Sequence, residues 1–123
     1  MKNELRIRNY VNVPTQPTPV QIVCAIMPAH AGTSHTIEHL ELGGYLTPYE
    51  LIEPIPLTEE WLLKLGFKYF LDTKIYAIDN FFIEKEPDNK IAVMYDYLNK
   101  SVEYVHQLQN LYFALTGEEL VCQ

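Results

Sequence analysis

The run from Tyr104 to Gly117 constrains the fold of this chain more than any other stretch. Val105, Leu108, Leu111, Tyr112 and Leu115 fall on one stripe at helical spacing. Gly117 stands where a helix end calls for left-handed backbone. A helix with one apolar stripe must lay it on another element, so this helix is expected to close a packed, folded unit. On the same wheel Phe113 points nearly the opposite way, on the side of Val102 and His106. Val102, His106 and Phe113 therefore form a candidate interaction surface. Three things could cover it: the N-terminal half of the chain, a second copy in a two-fold homodimer, or a partner. The N-terminal half is preferred, because the first face of the helix is already committed. His106 by itself is ordinary, since a lone helix histidine is usually a surface or satisfied core residue.

An earlier helix is announced by its cap. Thr58 is a good N-cap, Glu59 and Glu60 complement the positive end of the helix dipole, and Leu57 and Leu62 are spaced for a hydrophobic staple. Gly66 stops the helix after about two turns. Trp61, Leu62 and Leu65 are its expected buried stripe, with Trp61 as a core anchor. They are expected to share one core with Leu108, Leu111, Leu115, Ile91 and Val93. Between the helices, Phe67–Asp79, Phe81–Lys85 and Lys90–Tyr97 read as three strands, with turns at Asp79-Asn80 and at Pro87 to Asn89. Upstream, Leu5–Val13 reads as a strand with an irregularity near Asn9, and Val20–Met27 as a strongly apolar strand. The expected fold class is α+β. A β-rich N-terminal half, resembling a small SH3-like barrel, precedes a helix, a three-stranded antiparallel meander and a closing C-terminal helix. The expected subdomains are residues 1–56 and an α-β-β-β-α unit at residues 57–123, packed as one compact unit.

Composition narrows the function classes. The 123 residues are 48% hydrophobic and 20% charged, which suits a globular fold and not a disordered chain. The formal net charge of −7 opposes a sequence-independent nucleic-acid binder, whose affinity comes from Lys and Arg on phosphates. No apolar run approaches a bilayer span, and the charged, alternating start lacks a secretory h-region, so a cytoplasmic, acidic protein is expected. A mature form cleaved from its signal would read the same. Cys24, in an apolar run, and Cys122, near the last residue, are expected to be reduced. No Gly-rich phosphate loop follows a strand, and no cofactor is expected.

One motif carries chemistry. His35-x-x-Glu38-His39 matches the inverted zinc-protease signature, in which two histidines hold zinc and the glutamate polarises water. The run His35 to Leu40 also resembles the zinc motif of S-ribosylhomocysteine lyases, and Gly32 and Gly44 resemble pitrilysin-type spacing. On a helix His35 and His39 would sit roughly 6 Å apart along the axis and could share an ion. On a strand they would lie roughly 13 Å apart, beyond one metal. Ser34 could cap a short helix here and Gly43 stop it, whereas the Thr- and His-rich composition and neighbouring strands favour an extended segment. No pattern places Cys24 or His30 as a third ligand. The extended, metal-free reading of His35–Leu42 is preferred. Asp72, Asp79, Asp96 and Glu84 could be gathered by the meander, but no register can be read for them.

Three stretches carry a resemblance: Asn3 to Val11, Pro54 to Phe67, and Tyr104 to Leu120. Together they look like a family of small uncharacterised proteins from prophages and mobile elements of Bacteroidetes. The family pattern has glycine where this chain has Arg8, which leaves open whether a turn or bulge forms there. The segment containing His35–His39 is not part of the pattern. The resemblance implies an origin and no activity. The expected function is that of a non-enzymatic accessory protein that binds a host protein or a small ligand. The alternative is a small zinc-dependent hydrolase or lyase using His35, Glu38 and His39.

Overall fold

The computed structural model describes residues 5–14, 19–27, 39–42, 45–48, 51–87 and 90–123. The fold is α+β, and the chain divides into two units, Met1–Ile55 and Pro56–Gln123.

In the first unit β1 (Tyr10–Asn12), β2 (Val20–Met27), β3 (His39–Leu42) and β4 (Tyr45–Pro48) pair antiparallel in chain order. Leu5, Val11, Val13, Val23 and Ile52 cluster in its core. The expected single strand Leu5–Val13 is interrupted. Ile7 and Arg8 form a turn, and Arg8 takes left-handed backbone at φ 80°. The buried Asn9 holds this turn: its side-chain oxygen accepts from Arg6 N–H at 2.7 Å, and its own N–H donates to Arg6 O at 3.0 Å. Arg8 N–H then reaches Val23 O at 2.7 Å, and Val23 N–H reaches Asn9 O at 2.9 Å. A turn therefore forms here on an arginine, stapled to β2 from both sides.

In the second unit α1 (Glu59–Lys64) leads into a five-stranded antiparallel meander of β5 (Lys68–Phe70), β6 (Ile75–Ile78), β7 (Phe81–Lys85), β8 (Ile91–Tyr95) and β9 (Leu98–Val102), followed by α2 (Val105–Thr116). Three strands were expected. Phe67–Asp79 is two strands, because residues 71–74 turn, with Lys74 N–H donating to Phe70 O at 2.7 Å and Lys74 at φ 56°. The fifth strand follows a hairpin at Asp96-Tyr97 that repeats the device at Asp79-Asn80. In each, an aspartate with positive φ (Asp79 49°, Asp96 51°) opens a two-residue turn between directly paired residues, Ile78 with Phe81 and Tyr95 with Leu98. Aspartate tolerates this conformation better than most residues, since its short carboxylate bonds locally.

Thr58 Oγ1 accepts from Trp61 N–H at 3.3 Å, Leu57 and Leu62 are both buried, and Gly66 leaves α1 at φ 96°. Gln107 Oε1 caps α2 by accepting from Glu103 N–H at 2.9 Å and Tyr104 N–H at 3.2 Å. Gly117 ends it with φ 77° and an N–H bond to Phe113 O at 2.8 Å.

Cross-strand partners share a face of a sheet. One face of the meander carries Tyr76, Ile83, Val93, Phe81, Ile91 and Val102, all buried. Phe81 is its centre. Its ring lies 5.0 Å from Tyr112 of α2, 5.7 Å from Tyr95 and 6.2 Å from Phe67. Leu62, Leu65 and Leu108 are buried as expected, but Leu111 and Leu115 are half-buried. Trp61 is half-buried too, with Lys64 Nζ 5.0 Å from its ring centre, so it is no core anchor.

The buried side of α2 is turned from the expected stripe by about 60°, at about 100° per residue, toward Gln109 and His106, both fully buried. Gln109 can be inside because Nε2 donates to Leu120 O at 3.0 Å, tying down the segment after the helix. That segment continues to Gln123, whose N–H donates to Lys64 O at 2.8 Å.

Candidate functional site: the outer face of the meander

The second face of the meander follows from the same register. Lys68, Ala77, Phe82, Met94 and Asn99 stand side by side across the five strands, and so do Phe70, Ile75, Glu84, Ala92 and Ser101. A sheet face turned to water usually alternates to polar residues. Toward β5 this one does not. Phe70 is 51% exposed, Phe82 40% and the adjoining turn residue Leu71 76%. Isolated exposed apolar side chains are ordinary, but here three are neighbours beside the half-buried Ile75.

Two hollows meet at Phe70 and Phe82. One, of about 370 Å³, is lined by Gly66, Lys68, Ala77 and Asp79 besides those two rings. The other, of about 460 Å³, is lined on its far side by Leu71, Asp72 and Ile75. Small Ala77 leaves room between the rings and Lys68. Tyr69, on the opposite face of the same short strand, lies with its ring 4.8 Å from that of Tyr76, tilted by 44°, and reaches the larger hollow from the edge. The Tyr76 hydroxyl is pushed above its ordinary value, first by burial, then by Glu59 and Tyr69. It is held protonated at neutral pH and offers no base.

A separate polar hollow of about 260 Å³ touches Asp79, Tyr95, Tyr112, Thr116 and Glu118. Burial raises the Tyr112 hydroxyl most, with Glu118 and Asp79 adding to it and the Thr116 side chain opposing. A neutral phenol beside two carboxylates can donate a hydrogen bond but supplies no nucleophile at neutral pH.

The residues singled out from sequence are scattered. His35 and Glu38 lie outside the described residues, as do Cys24's side chain, His30, Gly32, Ser34 and the glycines Gly43 and Gly44. His39 opens β3, with backbone paired to Met27 and Pro48, so the backbone at that histidine is extended and not helical. Among the described residues no three His, Cys, Asp or Glu side chains gather to hold a metal ion. Asp72 and Asp79 border different hollows, Glu84 lies opposite Ile75, and Asp96 serves the β8–β9 hairpin.

Of the candidate surface of Val102, His106 and Phe113, two of the three side chains lie inside the fold. Val102 and His106 are buried, the latter stacked on Tyr104 at 5.8 Å, and only Phe113 is open to solvent, at 40%. The larger site at Phe70, Leu71 and Phe82 was missed. Its signal was present in Tyr69-Phe70-Leu71 and Phe81-Phe82-Ile83, where apolar residues occupy both parities of a strand and so both faces of a sheet. Among the described residues no helix is long and apolar enough to cross a membrane. Comparison with protein-family models, with curated proteins and with solved structures finds no match.

Proposed function

We propose that this chain is a non-enzymatic binding protein that captures an apolar segment of a partner protein on the outer face of its meander. The observation that carries this reading is the pair of exposed rings, Phe70 and Phe82, with open hollows on both sides. Exposed aromatic side chains grouped in this way are the usual anchors of protein interfaces. Both hollows are open to solvent, which suits side chains presented by a protein better than a small molecule that must be enclosed. The resemblance to proteins of prophages and mobile elements makes a bacterial host protein the natural partner class and the cytoplasm the natural setting.

The β-rich N-terminal unit is read, within this proposal, as a small SH3-like curl. Support comes from the chain after β4. It passes a 3₁₀ turn at Leu51 and returns to β1, where Asn12 and Glu53 exchange backbone hydrogen bonds of 2.9 and 2.8 Å.

A photo-crosslinking residue at Phe70, compared with one at the fully exposed Tyr97, tests the binding reading in a bacterial lysate. A discrete adduct from position 70, absent from position 97 and lost on Phe82→Asp, is expected. Equal labelling from both positions would refute it. Stoichiometric zinc in untagged protein, lost in a His35→Ala, His39→Ala double variant, would instead favour the zinc hydrolase or lyase.

A further inference from the structure

We infer that the occupant of this face is an extended, cationic segment of the partner, added to β5 as a sixth strand. The inference rests on the outer-face reading above and supplies the chemistry of the partner. β5 is the terminal strand of its sheet, and among the described residues no strand pairs with its other edge. All three of its residues are exposed. A bare edge presents backbone N–H and C=O groups ready for another strand, and sheets commonly guard such edges with charge, proline or cover. Here the guards are shortness and one lysine, Lys68.

A strand laid along β5 would place every second side chain on the outer face, next to Phe70 and Lys68. Both hollows border Phe70 of β5 and open on that face, so apolar side chains at alternate positions could reach them while the backbone pairs with the edge. Charge selects the partner. Asp72 and Asp79 line the hollows with Lys68, and Glu84 on the same face and Lys74 in the adjoining turn leave three exposed carboxylates against two lysines. The whole chain carries −7. A second copy of this chain brings the same acidic surface and is repelled. A segment bearing lysine or arginine between its apolar residues is attracted and steered.

The probe is a fluorescein-labelled synthetic peptide of roughly six residues, the usual length of a strand, alternating lysine with valine and phenylalanine. It is titrated against the full chain beside a version with glutamate for lysine and two versions N-methylated at alternate residues. N-methylation keeps the side chains and removes donors needed for edge pairing. The lysine peptide is expected to bind at least about tenfold more tightly than the glutamate peptide, a gap that narrows with added salt. At least one N-methylated version should lose binding. Phe70→Asp, at a half-exposed position and checked for an unchanged melt, should also lose it, although it adds negative charge.

Equal binding of lysine and glutamate peptides, or full binding by both N-methylated versions, overturns cationic strand capture. The outer-face reading survives that result if Phe70→Asp still abolishes binding. No binding by any peptide also overturns the inference, and the crosslinking result at position 70 then decides the outer face separately. Self-association abolished by Phe70→Asp would overturn it in favour of a second copy at the edge.

Discussion

Phe81→Ala should remove most of the stability of the second unit, and Trp61→Ala should not. Phe81 is essentially fully buried and makes ring contacts with Phe67, Tyr95 and Tyr112. Deleting a buried phenylalanine costs about 3–5 kcal/mol, lost transfer free energy plus the cavity left behind. Aromatic pairs contribute roughly 0.5–1.5 kcal/mol each beyond area, which places Phe81 toward the top of that range. A unit spanning Pro56–Gln123 has a total stability of roughly 3–10 kcal/mol at ordinary values per residue.

Trp61 is half-buried and shares its ring with the Lys64 ammonium. Its truncation should cost about 1–2 kcal/mol, from partial burial and a solvent-screened cation–π contact. The only tryptophan in the chain lies in this unit, so its fluorescence in a urea titration reports the Phe81 variants. Circular dichroism serves for Trp61→Ala. If Phe81→Ala is unfolded without urea, Phe81→Leu, with an expected loss of about 1–2 kcal/mol, keeps the effect measurable. A greater loss from Trp61→Ala than from Phe81→Ala would refute the assignment of the core centre.

Three further outcomes are expected. Arg8→Gly should stabilise the first unit by about 0.5–1 kcal/mol, because left-handed backbone strains any residue with a Cβ; a thermal melt moved upward by roughly 3 °C checks it, and a lowered melt contradicts it. Gly66→Ala should cost about 1–2 kcal/mol from its φ of 96°. The new Cβ would lie 3.0 Å from the Gln123 side chain, which is exposed and can swing aside, so Gln123→Ala should not rescue the variant. Alkaline pH should destabilise the second unit. The Tyr76 and Tyr112 hydroxyls are raised above 10.0 in the folded state, mainly by burial. The unfolded chain therefore loses these protons first. Stability is full below about pH 10, the unfolded value, and falls as pH rises through the folded values. Tyr112→Phe should make that fall shallower in urea titrations between neutral and strongly alkaline pH, and an unchanged slope would contradict the sign.

The local code of this chain is legible because its signals act over a few residues. Thr58, the acidic pair after it and the glycines at 66 and 117 bracket the helices, since capping concerns groups within one turn. Val20–Met27 and the Asp79-Asn80 turn stand out for the same reason. Asp96-Tyr97 is the same turn with a residue that also suits strands, so the fifth strand was hidden by the ambiguity of one tyrosine. An irregularity near Asn9 is legible, but the residue type does not mark Arg8 as its turn residue, because its left-handed backbone is imposed by bonds to Val23 and by Asn9 folding back on Arg6.

Periodicity marks that α2 has an apolar side, but its orientation depends on what the neighbouring segments offer. Gln109 goes inside because Leu120, eleven residues on, presents a carbonyl to it, and Trp61 stays at the rim while the smaller Phe81 takes the centre among three rings. The candidate site belongs wholly to this second kind of information. Phe70, Leu71 and Phe82 carry apolar character in the sequence, but which of two apolar faces a sheet turns to solvent is decided by where the helices pack. Here the helices cover the face of Phe81 and Ile83, and Phe70 and Phe82 are left open to water.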